Sequence, residues 1–291
     1  MTLTAVTSDV TRAAAEAASD AAARAGVEVL KLKGLEEIQQ AVELHRVIWG
    51  PEDRDLIGVS TLRALSHADN YVFGAYLGDR LVAAITGFVG WHEEKFQLHS
   101  HILGVSPEVQ GRNVGFALKE HQRAWCLSKE ITTVTWTYDP LVSRNAYFNL
   151  TKLGAAVTAY YPSFYGQMND GINGSDDSDR VLVEWALGSP RAVEASLGDG
   201  IATPDIAELR EAGAEIALDA GPDGSPIETT ASSDTILVGI PRDIVEIRRR
   251  NAELGSHWRS ASRSALEGRL NDGFVITALA KPGYYVLERV S

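Results

Sequence analysis

Gln110, Gly111, Arg112, Asn113, Val114, Gly115 and Phe116 lie in a stretch, Leu103 to Leu118, that passes from a strand-like segment into a glycine-bearing turn and then a helical pattern. A junction of this kind binds phosphate. Glycine lets backbone approach a ligand closely, and the N–H groups that open a helix point outward with the positive end of the dipole behind them. No Lys-Ser/Thr pair follows the glycines and the three-glycine spacing of a dinucleotide turn is missing, so a Walker loop and a Rossmann turn are both excluded. Upstream, Gln97, His99 and His101 alternate on one strand face against Phe96, Leu98 and Ile102 on the other. Histidine titrates near neutral pH, so either imidazole can take a proton directly or through water, or serve as a hydrogen-bonded structural group. Asp139, before Pro140, is read as an alternative base, an amine-binding carboxylate or a cap of the turn. The His99-x-His101 spacing would suit two zinc ligands, but no Cys or acidic partner stands nearby, so no metal is expected.

The elements that must position these residues follow from periodicity. After the turn, Val114, Ala117, Leu118, His121, Trp125 and Ser128 fall on one helical face, a stripe suited to packing on a sheet. Thr132 to Asp139 alternates as a strand, and Ser143 to Leu153 forms a short helix closed by Gly154. Before the turn, residues 36–48 suit an amphipathic helix. Tyr71–Tyr76 and Leu81–Val89 form a hairpin around Gly78-Asp79-Arg80, and Phe96–Val105 completes the sheet.

The turn resembles motif A of the GNAT (GCN5-related) N-acetyltransferases, Gln/Arg-x-x-Gly-x-Gly/Ala, with Gln110 at the first position, Asn113 in place of the first glycine and Gly115 at the second. Asn113 is tolerable there because asparagine accepts a left-handed backbone better than most residues. Asn145-Ala146 and Lys152-Leu153-Gly154 echo a second family pattern, and the string Trp136 to Leu150 looks like a bacterial subgroup of predicted acetyltransferases. The resemblance covers about residues 27–187. It implies an α/β (α+β) GNAT fold with a mixed, mostly antiparallel sheet flanked by helices, and direct acyl transfer in a ternary complex. It also implies pantetheine on the backbone of Leu103, Gly104 and Val105, pyrophosphate at Gln110 to Phe116, and a pantetheine contact from Asn145. His101, nearer the expected thioester, becomes the preferred base. The usual leaving-group acid, a tyrosine, is replaced by Leu150, which leaves Tyr147, Tyr160, Tyr161 and Tyr165 as candidate phenols; Tyr147 lies one helical turn before Leu150 on nearly the same face.

Bulk properties agree with a soluble enzyme. The 291-residue chain is 45% hydrophobic, enough for a full core. A net charge of −12 argues against nonspecific nucleic-acid binding, and no apolar run reaches membrane-spanning length. Cys126 is the only cysteine, which excludes an intrachain disulfide, favours an inert thiol inside the helix and points to a cytoplasmic location. Three regions are expected: an Ala-rich helical extension over 1–26, an acyltransferase domain over 27–187, and a C-terminal α/β subdomain over 188–291. The last should hold strands at Ala214–Leu218, Thr235–Ile240, Gly273–Ala280 and Tyr284–Arg289 and one long helix from Arg242 to Leu270. Its Arg248-Arg249-Arg250 run reads as a solvated face, with contact to ribose phosphate, an acidic acyl group or an adjacent subunit of a homodimer as the alternative. The expected function is N-acylation of a small amine or amino acid from acetyl-CoA or succinyl-CoA. The alternative is an acyl-CoA-binding sensor that has lost the chemistry. The acceptor pocket is expected from Trp49 to Leu62 and Ala159 to Asp179.

Overall fold

The computed structural model describes residues 8–50, 57–166 and 177–289. The chain divides into two compact units, Met1–Trp136 with Trp185–Asp199, and Thr137–Glu184 with Gly200–Ser291. This division falls elsewhere than the boundaries read after residues 26 and 187.

The first unit is built on a sheet in the order β1 (Glu28–Lys31), β2 (Tyr71–Leu77), β3 (Arg80–His92), β4 (Lys95–Val105) and β5 (Thr133–Tyr138). Neighbours are antiparallel except β4 and β5, which run parallel. Each hairpin turn uses positive φ, at Gly78 (φ 60) between β2 and β3 and at Glu93 (φ 48) and Glu94 (φ 63) between β3 and β4. The helices are α1 (Ser8–Ala25), α2 (Leu35–Trp49), α3 (Val59–His67) and α4 (Val114–Leu127). Glu37 fixes the start of α2 by accepting from the Gly34 N–H at 2.6 Å and the Lys33 N–H at 2.7 Å. Leu32, Ile38, Ala41, Val42, Leu62, Val72 and Ala84 then form one core cluster between α2, α3 and the sheet.

Helix α4 corrects the single-stripe reading. Phe116, Lys119, Glu120, Gln122, Arg123, Cys126 and Leu127 are buried as well as Val114, Ala117 and Leu118. The cause is α1, which packs on α4 through small residues: Ala14, Ala18, Ala21 and Ala25 are buried at spacings of 4, 3 and 4. Small alanine side chains allow this close approach, and the polar face of α4 lies inside.

In the second unit, α5 (Ser143–Ala146) runs into a π-helical segment at Tyr147–Lys152, ended by Gly154 at φ 66. The extra residue per turn corrects the phase of this region: the Leu153 N–H bonds to Phe148 O rather than four residues back. Strands β6 (Ala156–Tyr161) and β7 (Arg180–Ala186) pair antiparallel. The chain then supplies α6 (Pro190–Ser196) to the first unit before returning with α7 (Ile206–Glu211). The rest of the second unit contains β8 (Glu215–Ala220), β9 (Pro226–Glu228), β10 (Thr235–Gly239), α8 (Ile244–Arg250), α9 (Ala252–Asn271), β11 (Phe274–Ala280) and β12 (Tyr284–Arg289). Its sheet order is β7-β6-β11-β12-β10-β8-β9, antiparallel except β10 with β8. The single long helix expected from 242 to 270 is two helices. Asn251 breaks them at φ −150 and caps α9 by accepting from the Leu254 N–H at 3.1 Å. No helix among the described residues is long and apolar enough to cross a membrane.

Candidate active site

Two features of the first unit meet at the end of β4. The first is a free strand edge. The ladder to β5 engages only Leu98 with Val134 and His99 with Thr135, while β3 covers the other edge through to Val105. From Ser100 to Val105, among the described residues, the edge facing β5 carries no strand pairing and offers its backbone groups to a ligand. The second is the turn. Gly111 sits at φ 80 and Asn113 at φ 59, ψ 19, both left-handed, and Gln110 to Asn113 are exposed. The Asn113 side chain makes no capping bond, and the first helical bond is from the Ala117 N–H to Asn113 O at 3.0 Å. The N–H groups of Val114, Gly115 and Phe116 therefore have no intrahelical partner. An anion fits at such an end.

Close packing fixes β4 on its α2 side. A Cβ on Gly104 would lie 2.8 Å from Ile48 Cδ1 and 2.9 Å from both His45 and Trp49, so only glycine lets α2 sit this near the strand. A β-bulge precedes this point: Thr86 pairs with Ile102 and Gly87 with Ser100, which leaves His101 as the extra residue. The bulge changes which face each residue takes, so strict alternation from 96 to 105 does not hold. Before it, Ser100 points toward α4; after it, Leu103 and Val105 do.

His99 and His101 stand together with Phe88, with ring centroids 5.2 Å (Phe88–His99), 6.1 Å (Phe88–His101) and 6.4 Å (His99–His101) apart. Burial, aided by the charges of His101 and Lys119, pushes the His99 pKa down to about 4, and its Nδ1 lies 3.3 Å from Thr135 Oγ1. His101 is solvent-exposed, and partial desolvation of its ring lowers its pKa below 6.5. Both are neutral near pH 7 and have a lone pair to accept a proton. His45 and His121 are also held near 4 by burial.

These histidines set a pH dependence. Their folded pKa values lie below the ordinary 6.5, so below that pH the unfolded chain binds protons that the fold excludes. Glu120 opposes them: burial, offset in part by Arg123 and Arg24, raises it to about 7. With three histidines against one carboxyl, the urea midpoint should fall as pH is lowered from 6.5 to 4. A midpoint constant or rising over that window would refute this balance.

Comparison with protein families gives a match to the Acetyltransferase (GNAT) family over residues 38–150, a span that contains β4, the turn, α4 and β5. Residues 38–150 belong to the acetyltransferase (GNAT) family. That span has the GNAT fold and the enzyme class of a GNAT-type N-acetyltransferase domain. Among solved structures the chain is similar to Arabidopsis thaliana Naa50 in complex with a bisubstrate analogue, at 19% identity over 55% of this chain and 97% of that one, TM-score 0.45. It is also similar to the ribosomal-protein-S18-alanine N-acetyltransferase of Escherichia coli, at 13% identity over 56% and 95% of the two chains, TM-score 0.45. An aminoglycoside acetyltransferase from an uncultured soil metagenomic sample, in complex with sisomicin, shares 21% identity over 39% and 78%, TM-score 0.36. Comparison with curated proteins gives no match.

The first unit gathers His101, Leu103, Gly104, Val105 and Gln110 to Phe116, while Asp139, Asn145, Tyr147 and Tyr165 lie in the second unit. Asp139 is placed as a structural anion. It is 4% exposed and accepts from Arg259 at 2.9 and 2.7 Å, from Arg248 at 3.0 Å and from the Leu141 N–H at 2.9 Å. Desolvation would raise its pKa, but these partners outweigh that and hold it below the usual 3.8. A carboxylate so engaged has no spare proton affinity at neutral pH. The arginine run is divided accordingly: Arg248 binds Asp139, while Arg249 and Arg250 pair with Glu246.

Tyr147 and Leu150 do not share a face. Tyr147 is 44% exposed and Leu150 fully buried, because the π-helical segment changes the phase between them. Tyr165 is exposed and lies 3.2 Å from Thr137 Oγ1, with the Arg180 guanidinium 5.4 Å above its ring. Tyr160 is buried on Asp179, Tyr161 is partly exposed, and Asn145 is half-buried in α5. Parts of both segments expected to form the acceptor pocket, 51–56 and 167–176, lie outside the described residues. Sequence reasoning passed over Phe88, whose role depends on a cross-strand pair, and Lys119, which a stripe at 119, 122 and 126 would have flagged as inward-facing.

Proposed function

We propose that this GNAT enzyme transfers an acyl group from acyl-CoA, acetyl by default with succinyl as the alternative, to a small amine or amino acid in the cytoplasm. The observation that carries the reading is the free β4 edge from Ser100 to Val105 leading directly into a turn whose left-handed Asn113 opens helix α4. The Leu103, Gly104 and Val105 backbone would hold pantetheine, and Gln110 to Phe116, including Arg112, would hold the pyrophosphate. Bound there, acyl-CoA supplies an activated thioester. The amine nitrogen forms a bond to the carbonyl carbon as the C–S bond breaks, the amine proton passes to neutral His101, and the leaving thiolate takes a proton from solvent, to which His101 later returns its own. His101 suits that task better than His99 because it is exposed and open to an incoming amine, whereas His99 is half-buried with its pKa held near 4.

The direct test is thiol release from acetyl-CoA and succinyl-CoA with a panel of amines, alongside thermal shift with each acyl-CoA. Turnover with at least one pair supports the enzyme. Leu150, buried in the core where the resemblance would place a proton-donating tyrosine, motivates the second reading of an acyl-CoA sensor. Tight binding with no thiol release across the panel would select it. His101→Ala should lower turnover about 100-fold with acyl-CoA affinity unchanged, since a general base contributes roughly 10²–10⁴. Unaltered turnover and pH profile would remove His101 from the mechanism.

A further inference from the structure

Lys119 is the most unusual side chain near the free edge. It is 3% exposed on α4, five residues after the first open N–H group, and among the described residues no carboxylate meets it. Its ammonium donates to Ser100 Oγ at 2.9 Å and to Gln122 Oε1 at 3.1 Å, and lies 3.7 Å from the centroid of the Trp136 ring. Those contacts use three directions of a three-donor group. Burial pushes its pKa down to about 7, with Cys126 opposing, so holding an ammonium here costs stability that a well-packed apolar residue would not.

The placement of its partners gives the reason to keep it. The ladder between β4 and β5 ends at His99 with Thr135. Ser100 and Trp136 are the next residue on each strand, so the ammonium grips both at the point where pairing stops. The same helix presents the open N–H groups of Val114 to Phe116 less than two turns away. We infer that Lys119 is a positioning residue that fixes the free edge of β4 in register with the anion-binding end of α4, so that one rigid helix sets the spacing between the pantetheine and pyrophosphate subsites. This deepens the acyl-CoA reading and rests on it.

Binding of two ligands distinguishes this role from general support of the fold. Acetyl-CoA spans both subsites, whereas ADP carries a pyrophosphate without pantetheine. Lys119→Met keeps the stem and removes the ammonium; the acetyl-CoA Kd, measured by calorimetry, should rise about 10-fold while the ADP Kd stays within about twofold. Ser100→Ala, which removes one grip and leaves the lysine, should show the same split at about threefold and serves if Lys119→Met does not fold. Equal losses for both ligands, or none for acetyl-CoA, in a folded variant would overturn the inference while leaving the cofactor reading intact. Failure of the wild-type protein to bind acetyl-CoA would remove that reading and this inference together.

Discussion

Gly115→Asp is expected to weaken acyl-CoA binding about 100-fold or more and leave the fold at least as stable as before. A Cβ at 115 would meet only Val105 Cγ2 at 3.6 Å and Leu103 Cδ2 at 3.8 Å, ordinary contacts that displace nothing. The residue is the second of α4, where a carboxylate is favoured by the helix dipole by about 0.3–1 kcal/mol, and replacing a helical glycine gains a similar amount. The same carboxylate would stand where the pyrophosphate is proposed to bind. Two like charges about 4 Å apart at a protein surface repel by roughly 4 kcal/mol, so the Kd should rise about 100-fold or more. Calorimetric titration with acetyl-CoA and a thermal melt decide the matter: affinity within about threefold of wild type would place the anion site elsewhere.

Asp139→Ala is expected to carry the largest stability loss, about 3–5 kcal/mol, because it takes a buried carboxylate from two buried guanidiniums. The whole cluster lies in the second unit, so urea unfolding followed there should show it. Asp139→Asn should lose less, since its amide oxygen can still accept from the Leu141 N–H at short range. The sign with pH follows from the depressed pKa. Asp139 stabilises above about pH 3.8, and that stabilisation is lost as pH falls through the lower folded value. A loss below about 1 kcal/mol for the alanine variant would mean that Arg248 and Arg259 are satisfied without it. If the asparagine variant turns over within about threefold of wild type at a temperature where it is folded, Asp139 is not the base.

Local chemistry made much of this legible in the sequence. The turn at 110–115 announced itself because glycine and asparagine are the residues that take left-handed backbone, and both Gly111 and Asn113 do so. The strands around Gly78 and before Pro140 followed from alternation and turn residues. Features set by counting went astray by one residue. The bulge at His101 and the π-helical segment at Tyr147–Lys152 each insert a residue that hydrophobic period does not register, and each changes which side chains share a face. Asn251 likewise reads as a tolerated polar residue within a long helix, yet its side chain caps a new one.

Residues adjacent along the chain were enough for the resemblance to GNAT acetyltransferases, the left-handed turn at 110–115 and the candidate histidines. The partners of each polar side chain came from the packing of distant segments. It turned Asp139 into an anion held by two arginines more than a hundred residues away, buried Glu120 and Arg123 beneath the alanines of α1, and set Lys119 where the strands part. Burial and charge pairing are properties of neighbours in space, and these fix whether an ionisable group is structural or poised to react.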